Sequence, residues 1–261
     1  MRTSYRAMSK ALSAGAVLAA LLPLLTPRST RAEAPGMPAA PPVIVFQPSH
    51  QNDTGENYNE SATCNAIVDY ALKAPPFYKE YKTWSYTEPG LHHADSGTNT
   101  KIEHTSAVVD GRISGYAWEV RKANELGAGI FIGVHNNSGT GRHAIWGYVH
   151  DGDAMEAANR RLSDILIEEI ARATDLENRG THLDSSTGRN DYRCAATGRL
   201  AFYSIDENVN KAPYRVLLEI GDAEKSRAFL LDEARRKEMG LAIKRGLKRF
   251  LALEPGILKS R

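Results

Sequence analysis

Apolar residues along this chain come in two rhythms: short runs closed by turn residues, and longer stretches spaced at three and four. Val43, Ile44, Val45 and Phe46 form the first run, closed by Gln47-Pro48-Ser49-His50. Ile130, Phe131, Ile132 and Val134 form a second, inside GIFIGVHNNSGTGR (129–142), which stops at His135-Asn136-Asn137 and a glycine-rich loop. A third covers 214–220, with VLLEI at its centre. Short apolar runs bounded by turn signals predict buried strands. Residues 81–86 and 143–150 predict two more.

The helical rhythm predicts a helix over 61–74, with Ala62, Ala66, Ile67, Tyr70 and Ala71 on one face and Pro75-Pro76 as its stop. An amphipathic helix over 113–126 ends at Gly127. A long one over 153–174 carries Leu162, Ile165, Leu166 and Ile170, and helical segments over 224–232 and 235–252 close the domain. Between these lie two polar stretches: 88–111, holding His92, His93 and His104, and 175–211, which reads as irregular. Strands alternating with helices predict an α/β fold in a single domain, a mixed, mainly parallel sheet with helices on both faces.

The first 34 residues stand apart. Arg2, Arg6 and Lys10 precede an almost wholly apolar run over 11–25, and Ala32-Glu33-Ala34 supplies a small-x-small cleavage site. Basic, apolar and cleavage regions in that order describe a secretory signal peptide. The run is short for a membrane span of about 20 residues, so the expectation is export to the periplasm or extracellular space, with no stable membrane insertion after cleavage. A Pro/Ala-rich leader over 35–42 follows, then the domain over 43–252 and a tail over 253–261.

Composition changes this picture little: 42% of the 261 residues are hydrophobic and 25% charged, as in ordinary globular proteins. Charge matters more. The formal net charge is +2, but the signal holds Arg2, Arg6, Lys10, Arg28 and Arg31 against Glu33, so the remainder carries −2. Nothing there suggests a nucleic-acid surface. Cys64 and Cys194 are the two cysteines, and in an oxidising compartment they could form one disulfide. Four thiolates at metal spacing are absent, so any metal site is expected to use histidine and carboxylate.

Three apolar strands end in residues that carry chemistry: His50 after VIVF, His135 after IFIGV and Glu219 within VLLEI. Glu60 stands at the start of the first helix, where the helix N-terminus favours a carboxylate, and Glu56 is its rival. A histidine at a strand end can be a metal ligand, a base, or merely bonded to a loop. If the strands are parallel neighbours, all four side chains converge on one rim. Two histidines and a carboxylate are a known catalytic zinc set, with a second carboxylate as general base. Asn136 and Asn137 are candidates for substrate binding or for turning the chain.

Four segments, VIVFQPSHQND, NYNESATCNAIVDYAL, KANELGAGIFIGVHNNS and YRVLLEIGD, resemble in order the pattern of the zinc-dependent N-acetylmuramoyl-L-alanine amidases of the amidase-3 type. So does the Asn178-Arg179-Gly180 triplet. Gln51-Asn52, Gly133, Glu119 and Asp222 depart from that pattern. The resemblance spans about 43–251 and implies a sheet of about six strands. It implies that His50, Glu60 and His135 would ligate zinc and that Glu219 would be the catalytic acid/base. The substrate would be the peptidoglycan amide joining the lactyl group of N-acetylmuramic acid to L-alanine of the stem peptide. A non-catalytic peptidoglycan-binding module and a zinc hydrolase acting on another amide are the alternatives. Whether a regulatory protein partners the domain is not readable from sequence.

Overall fold

The computed structural model describes residues 42–49, 51, 58–74, 79–82, 115–188 and 192–254. Its elements run β1 (Val43–Pro48), α1 (Glu60–Lys73), β2 (Lys79–Lys82), α2 (Gly115–Glu125), β3 (Ala128–Asn137), β4 (Ala144–Val149), α3 (Glu156–Ala173), β5 (Glu177–Leu183), β6 (Tyr214–Asp222), α4 (Arg227–Leu231) and α5 (Glu233–Leu253). One sheet takes the strands in the order β2-β1-β3-β6-β4-β5. The first four pair parallel in succession; β4 lies antiparallel on β6, and β5 parallel on β4. This is the mixed, mainly parallel α/β sheet that the sequence predicts.

Side-chain alternation divides each central strand between two cores. Ile44 and Phe46 of β1, Ile130, Ile132 and Val134 of β3, and Val216, Leu218 and Ile220 of β6 enter the larger core. Val45, Phe131 and Leu217, the residues between, enter a smaller one. Both faces are covered, which is why these runs read as continuously apolar.

The larger core is closed by α1, α3 and α5, with α5 packed against both of the others. Two glycines permit that approach. A Cβ on Gly240 would lie 2.6 Å from the Ile67 carbonyl and 2.7 Å from Tyr70 Cβ of α1, and one on Gly246 would meet Leu166 of α3 at 2.9 Å. The smaller core is closed by α2 and by the 192–212 connection, which contributes Phe202 and Ile205. Arg215 of β6 fastens that connection: its Nε donates to the Ile205 carbonyl at 3.0 Å, and its Nη2 pairs with Asp153 Oδ2 at 2.5 Å. Among the described residues no helix is long and apolar enough to cross a membrane.

Two boundaries differ from expectation for identifiable reasons. Residues 175–211 are not wholly irregular, because Glu177–Leu183 forms the edge strand β5. Its residues are mostly exposed and polar, so it has no apolar signal to read. The strand expected over 81–86 is seen as Lys79–Lys82; residues 83–86 lie outside the described residues, as do the segments 1–34 and 88–111.

At the end of β6, Asp222 is fully buried and holds the loop after β3 in place. Its Oδ2 accepts from the Thr140 backbone N–H at 2.7 Å and hydroxyl at 2.5 Å and from Gly141 N–H at 3.2 Å; Oδ1 accepts from Glu224 N–H at 3.0 Å and Lys225 N–H at 2.9 Å. Burial alone would push its pKa up, but these donors outweigh it and hold the carboxyl below the usual range.

Two outcomes are expected. Gly240→Ala should lower unfolding free energy by about 1–3 kcal/mol through overpacking at the α1–α5 crossing, read from denaturant melts. Asp222→Asn should cost about 1–3 kcal/mol at neutral pH. Because the folded pKa is depressed, the wild-type advantage is complete above the unfolded value of about 3.9 and fades as pH falls through the lower folded value. Melting curves of the two proteins should therefore converge in acid; a gap independent of pH would remove the ionised carboxylate from this role.

Candidate active site

Because β1, β3 and β6 are adjacent and parallel, their carboxyl ends share one rim, the usual place for ligands in open α/β sheets. Gln47 pairs in register with Gly133, and His135 with Glu219, so Gln47, His135 and Glu219 project from the face that carries Val45, Phe131 and Leu217. Glu60 arrives separately, as the first residue of α1. Asn59 caps that helix, accepting from Ala62 N–H at 2.8 Å, and the helix start stabilises the carboxylate.

The four polar side chains are almost entirely buried. His135 Nδ1 lies 3.3 Å from Glu60 Oε1, and the same oxygen accepts from Asn136 N–H at 3.3 Å. On the other side of the ring, Nε2 faces Gln47 Oε1 at 3.4 Å, while Gln47 Nε2 donates to Glu119 Oε2 of α2 at 2.8 Å. A carboxylate can only accept, so Glu119 sets the amide's direction and presents the amide oxygen to His135. The inferred tautomer carries its proton on Nε2 and turns the Nδ1 lone pair toward Glu60. Gly133 makes room for this contact, since a Cβ there would meet Gln47 Oε1 and Leu217 Cγ, each at 3.3 Å.

Glu60, His135 and Glu219 line a groove of about 470 Å3, whose other walls include Thr140, Tyr148 and Phe202. Two ligands of a tetrahedral zinc, with bonds of about 2.0–2.2 Å, stand about 3.3–3.5 Å apart. The Nδ1 to Oε1 spacing fits that, and the outward nitrogen already has the second partner that metal-bound histidines keep. His50, Glu56 and the histidines at 92, 93 and 104 lie outside the described residues.

Asn136, a candidate for substrate binding or for turning the chain, borders the same groove and is held there by the fold. Its Nδ2 donates to the Ile220 carbonyl at 2.7 Å, and its Oδ1 accepts from Tyr58 Oη and from Cys64 Sγ at 3.3 Å. The fold consumes the amide in tying β3 to β6 and α1. Asn137 is half-buried on the groove, its Oδ1 capping Ser138 N–H at 3.0 Å. The Cys64–Cys194 disulfide is corrected: both are buried, free thiols. Cys64 is on α1 under the site, where burial, reinforced by the Glu60 and Glu219 charges, pushes its thiol pKa well up. Cys194 is in the connection on the other face, beside His150 and Asp206.

The remaining described histidines stand away from the groove. His143 contacts Ser226 Oγ at 2.8 Å and Asp175 at 3.2 Å, and His182 is exposed with the Arg179 carbonyl 3.0 Å from Nε2. Gln47 and Glu119 are the site residues that sequence reading missed. The signal available was a glutamine directly after VIVF, in phase with the apolar residues of one face.

No family model matches the chain, and no curated protein does. Solved structures do. The catalytic domain of CwlV, an N-acetylmuramoyl-L-alanine amidase from Bacillus (Paenibacillus) polymyxa var. colistinus, is similar over 81% of this chain and 98% of its own, with TM-score 0.55 and 21% identity. An N-acetylmuramoyl-L-alanine amidase from Clostridium difficile 630 is similar over 82% and 98%, with TM-score 0.57 and 14% identity. The CwlD amidase of Clostridioides difficile, solved in complex with the GerS lipoprotein, is similar over 81% and 99%, with TM-score 0.52 and 17% identity. The chain thus has the fold of the solved N-acetylmuramoyl-L-alanine amidases, over nearly their whole length.

Proposed function

We propose that the protein is an exported, zinc-dependent N-acetylmuramoyl-L-alanine amidase, acting on peptidoglycan in the periplasm or extracellular space. The observation that carries this reading is the buried Glu60–His135 pair at ligand spacing, with Glu219 beside it on the neighbouring parallel strand. The amidase fold supports the substrate class, and the signal-like residues 1–34 support export.

Glu60 Oε1, His135 Nδ1 and His50, which follows Ser49 in the sequence, would hold the metal. When bound, zinc would polarise the scissile carbonyl and acidify the attacking water from about 15.7 toward about 7. Gln47 holds the imidazole of His135 at Nε2, so that Nδ1 keeps one direction. Glu219 takes a proton on its carboxylate as water attacks the carbonyl carbon. It returns that proton to the amide nitrogen as the bond to L-alanine breaks, which leaves a lactyl carboxylate and a free stem-peptide amine. The loop fixed by Asp222 forms one wall and Phe202 another, which positions the glycan-linked substrate across the rim.

Mass spectrometry of digested sacculi tests this directly. Intact stem peptides with free L-alanine amines should appear, a chelator should stop their release, and zinc should restore it. Protein that sediments with sacculi yet releases nothing would make it a binding module instead. Glu219→Gln should retain zinc and lose turnover by about 10²–10⁴-fold; an undiminished rate would remove Glu219 from its role. Gln47→Ala should weaken metal binding by about 10–100-fold, read as a higher free zinc concentration for half-maximal activity in a chelator buffer.

A further inference from the structure

A second group of ligand-type side chains lies at the opposite end of the sheet. β4 runs antiparallel to β6, and Trp146 is the register partner of Glu219. His150 is four residues further on, about 13 Å away at about 3.3 Å per strand residue. There, ligand atoms of His150, Cys194 and Asp206 all lie within 4.8 Å of one another. The three residues are 2%, 1% and 0% exposed and come from two stretches of chain, the end of β4 and the 192–212 connection. Sequence reading excluded thiolates from any metal site because four at metal spacing are missing; a single one combined with imidazole and carboxylate escapes that test.

The surroundings are those of a metal site. His150 Nδ1 is taken by Asp184 Oδ2 at 2.8 Å, the carboxylate–histidine pairing that orients a metal-binding imidazole. That leaves Nε2 facing the Asp206 carboxylate, whose Oδ1 is 3.6 Å away, too long for a hydrogen bond. Asp206 is itself held: Asn208 N–H and Nδ2 both donate to Oδ1 at 2.8 Å, and the Tyr192 hydroxyl donates to Oδ2 at 2.8 Å. Both acceptor positions of Oδ1 are filled and one is left on Oδ2, which is the oxygen available to a cation. Thiolate, imidazole and carboxylate together suit zinc rather than magnesium or calcium.

We propose that His150 Nε2, Cys194 Sγ and an Asp206 carboxylate oxygen hold a zinc-class divalent cation with a structural role, a site separate from the catalytic one. A water completes the tetrahedron. The cation fastens the 192–212 connection to the ends of β4 and β5. The same Asp184 Oδ2 that orients His150 accepts from Phe202 N–H at 3.1 Å, and Phe202 lines the catalytic groove. The distal cation therefore supports one wall of the active site. A proton is the competing occupant: burial disfavours charge on His150, but the bond to Asp184, with Asp184, Asp206 and Cys194 nearby, pushes its pKa up to about 9.

Cobalt loading of the full chain separates these occupants. Wild-type protein should show a thiolate-to-cobalt charge-transfer band in the near ultraviolet. Cys194→Ser should lose the band and one equivalent of metal, while Cys64→Ser keeps both. His135→Ala should lose the other equivalent and keep the band; one equivalent in total, with the band present, would fault the catalytic zinc and leave this site standing. Wild-type protein without the band, or a band that survives in Cys194→Ser, would overturn the proposal, and the wild-type spectrum decides even if a variant fails to fold.

Discussion

The parallel register of β3 with β6 is the constraint on which the rest of the site depends. His135 and Glu219 are Cα partners across that ladder, so their side chains emerge on one face, one strand apart. Strand periodicity leaves no intermediate setting: a slip of one residue would send His135 into the larger core and Val134 into the groove. The register is protected by both cores at once, because a slip would exchange Phe131 and Ile132 between two differently shaped cores and turn His135 into the larger one. The geometry of the candidate site is here a by-product of hydrophobic pattern.

Around that pair the remaining groups are delivered by elements that pack for their own reasons. Glu60 is carried in by α1, whose Cys64, Ile67, Val68 and Ala71 face the larger core at helical spacing. α1 in turn is held by α5 through the contact that Gly240 permits, and α5 reaches the sheet's edge through the buried Lys244–Glu80 pair. On the other face, α2 brings Glu119 to Gln47. The 192–212 connection has little regular structure and is held instead by polar side chains: Arg215 from β6, Asp184 after β5, and its own Asp206. Replacing such anchors costs more than the bonds they make, since partners are left buried without satisfaction.

Much of this was legible in the chain. The central strands announce themselves because both faces are buried, and the three long helices because their apolar spacing is regular. His135 and Glu219 were visible as polar residues where an apolar run should continue, and Glu60 as a carboxylate opening a helix. β5 was not, since an exposed edge strand such as ENRGTHL has no apolar period. Gln47 was missed because its importance lies in the partners at each end of its amide, which are 72 and 88 residues away in sequence. The partners of Asn136 were equally hidden: it borders the groove beside His135, and its amide also ties to the Ile220 carbonyl and Tyr58. The disulfide reading failed because two cysteines carry no information about which face of a sheet each will occupy.

The chain of contacts from Glu119 through Gln47 to His135 has an electronic consequence. A carboxylate at one end polarises the amide, and the amide oxygen in turn pulls on the imidazole N–H, making the opposite nitrogen a stronger electron donor. The electron-donating strength of the His135 imidazole is thus set partly from α2, on the far side of a glutamine. A change at position 119 therefore retunes that imidazole while every side chain facing the groove stays the same.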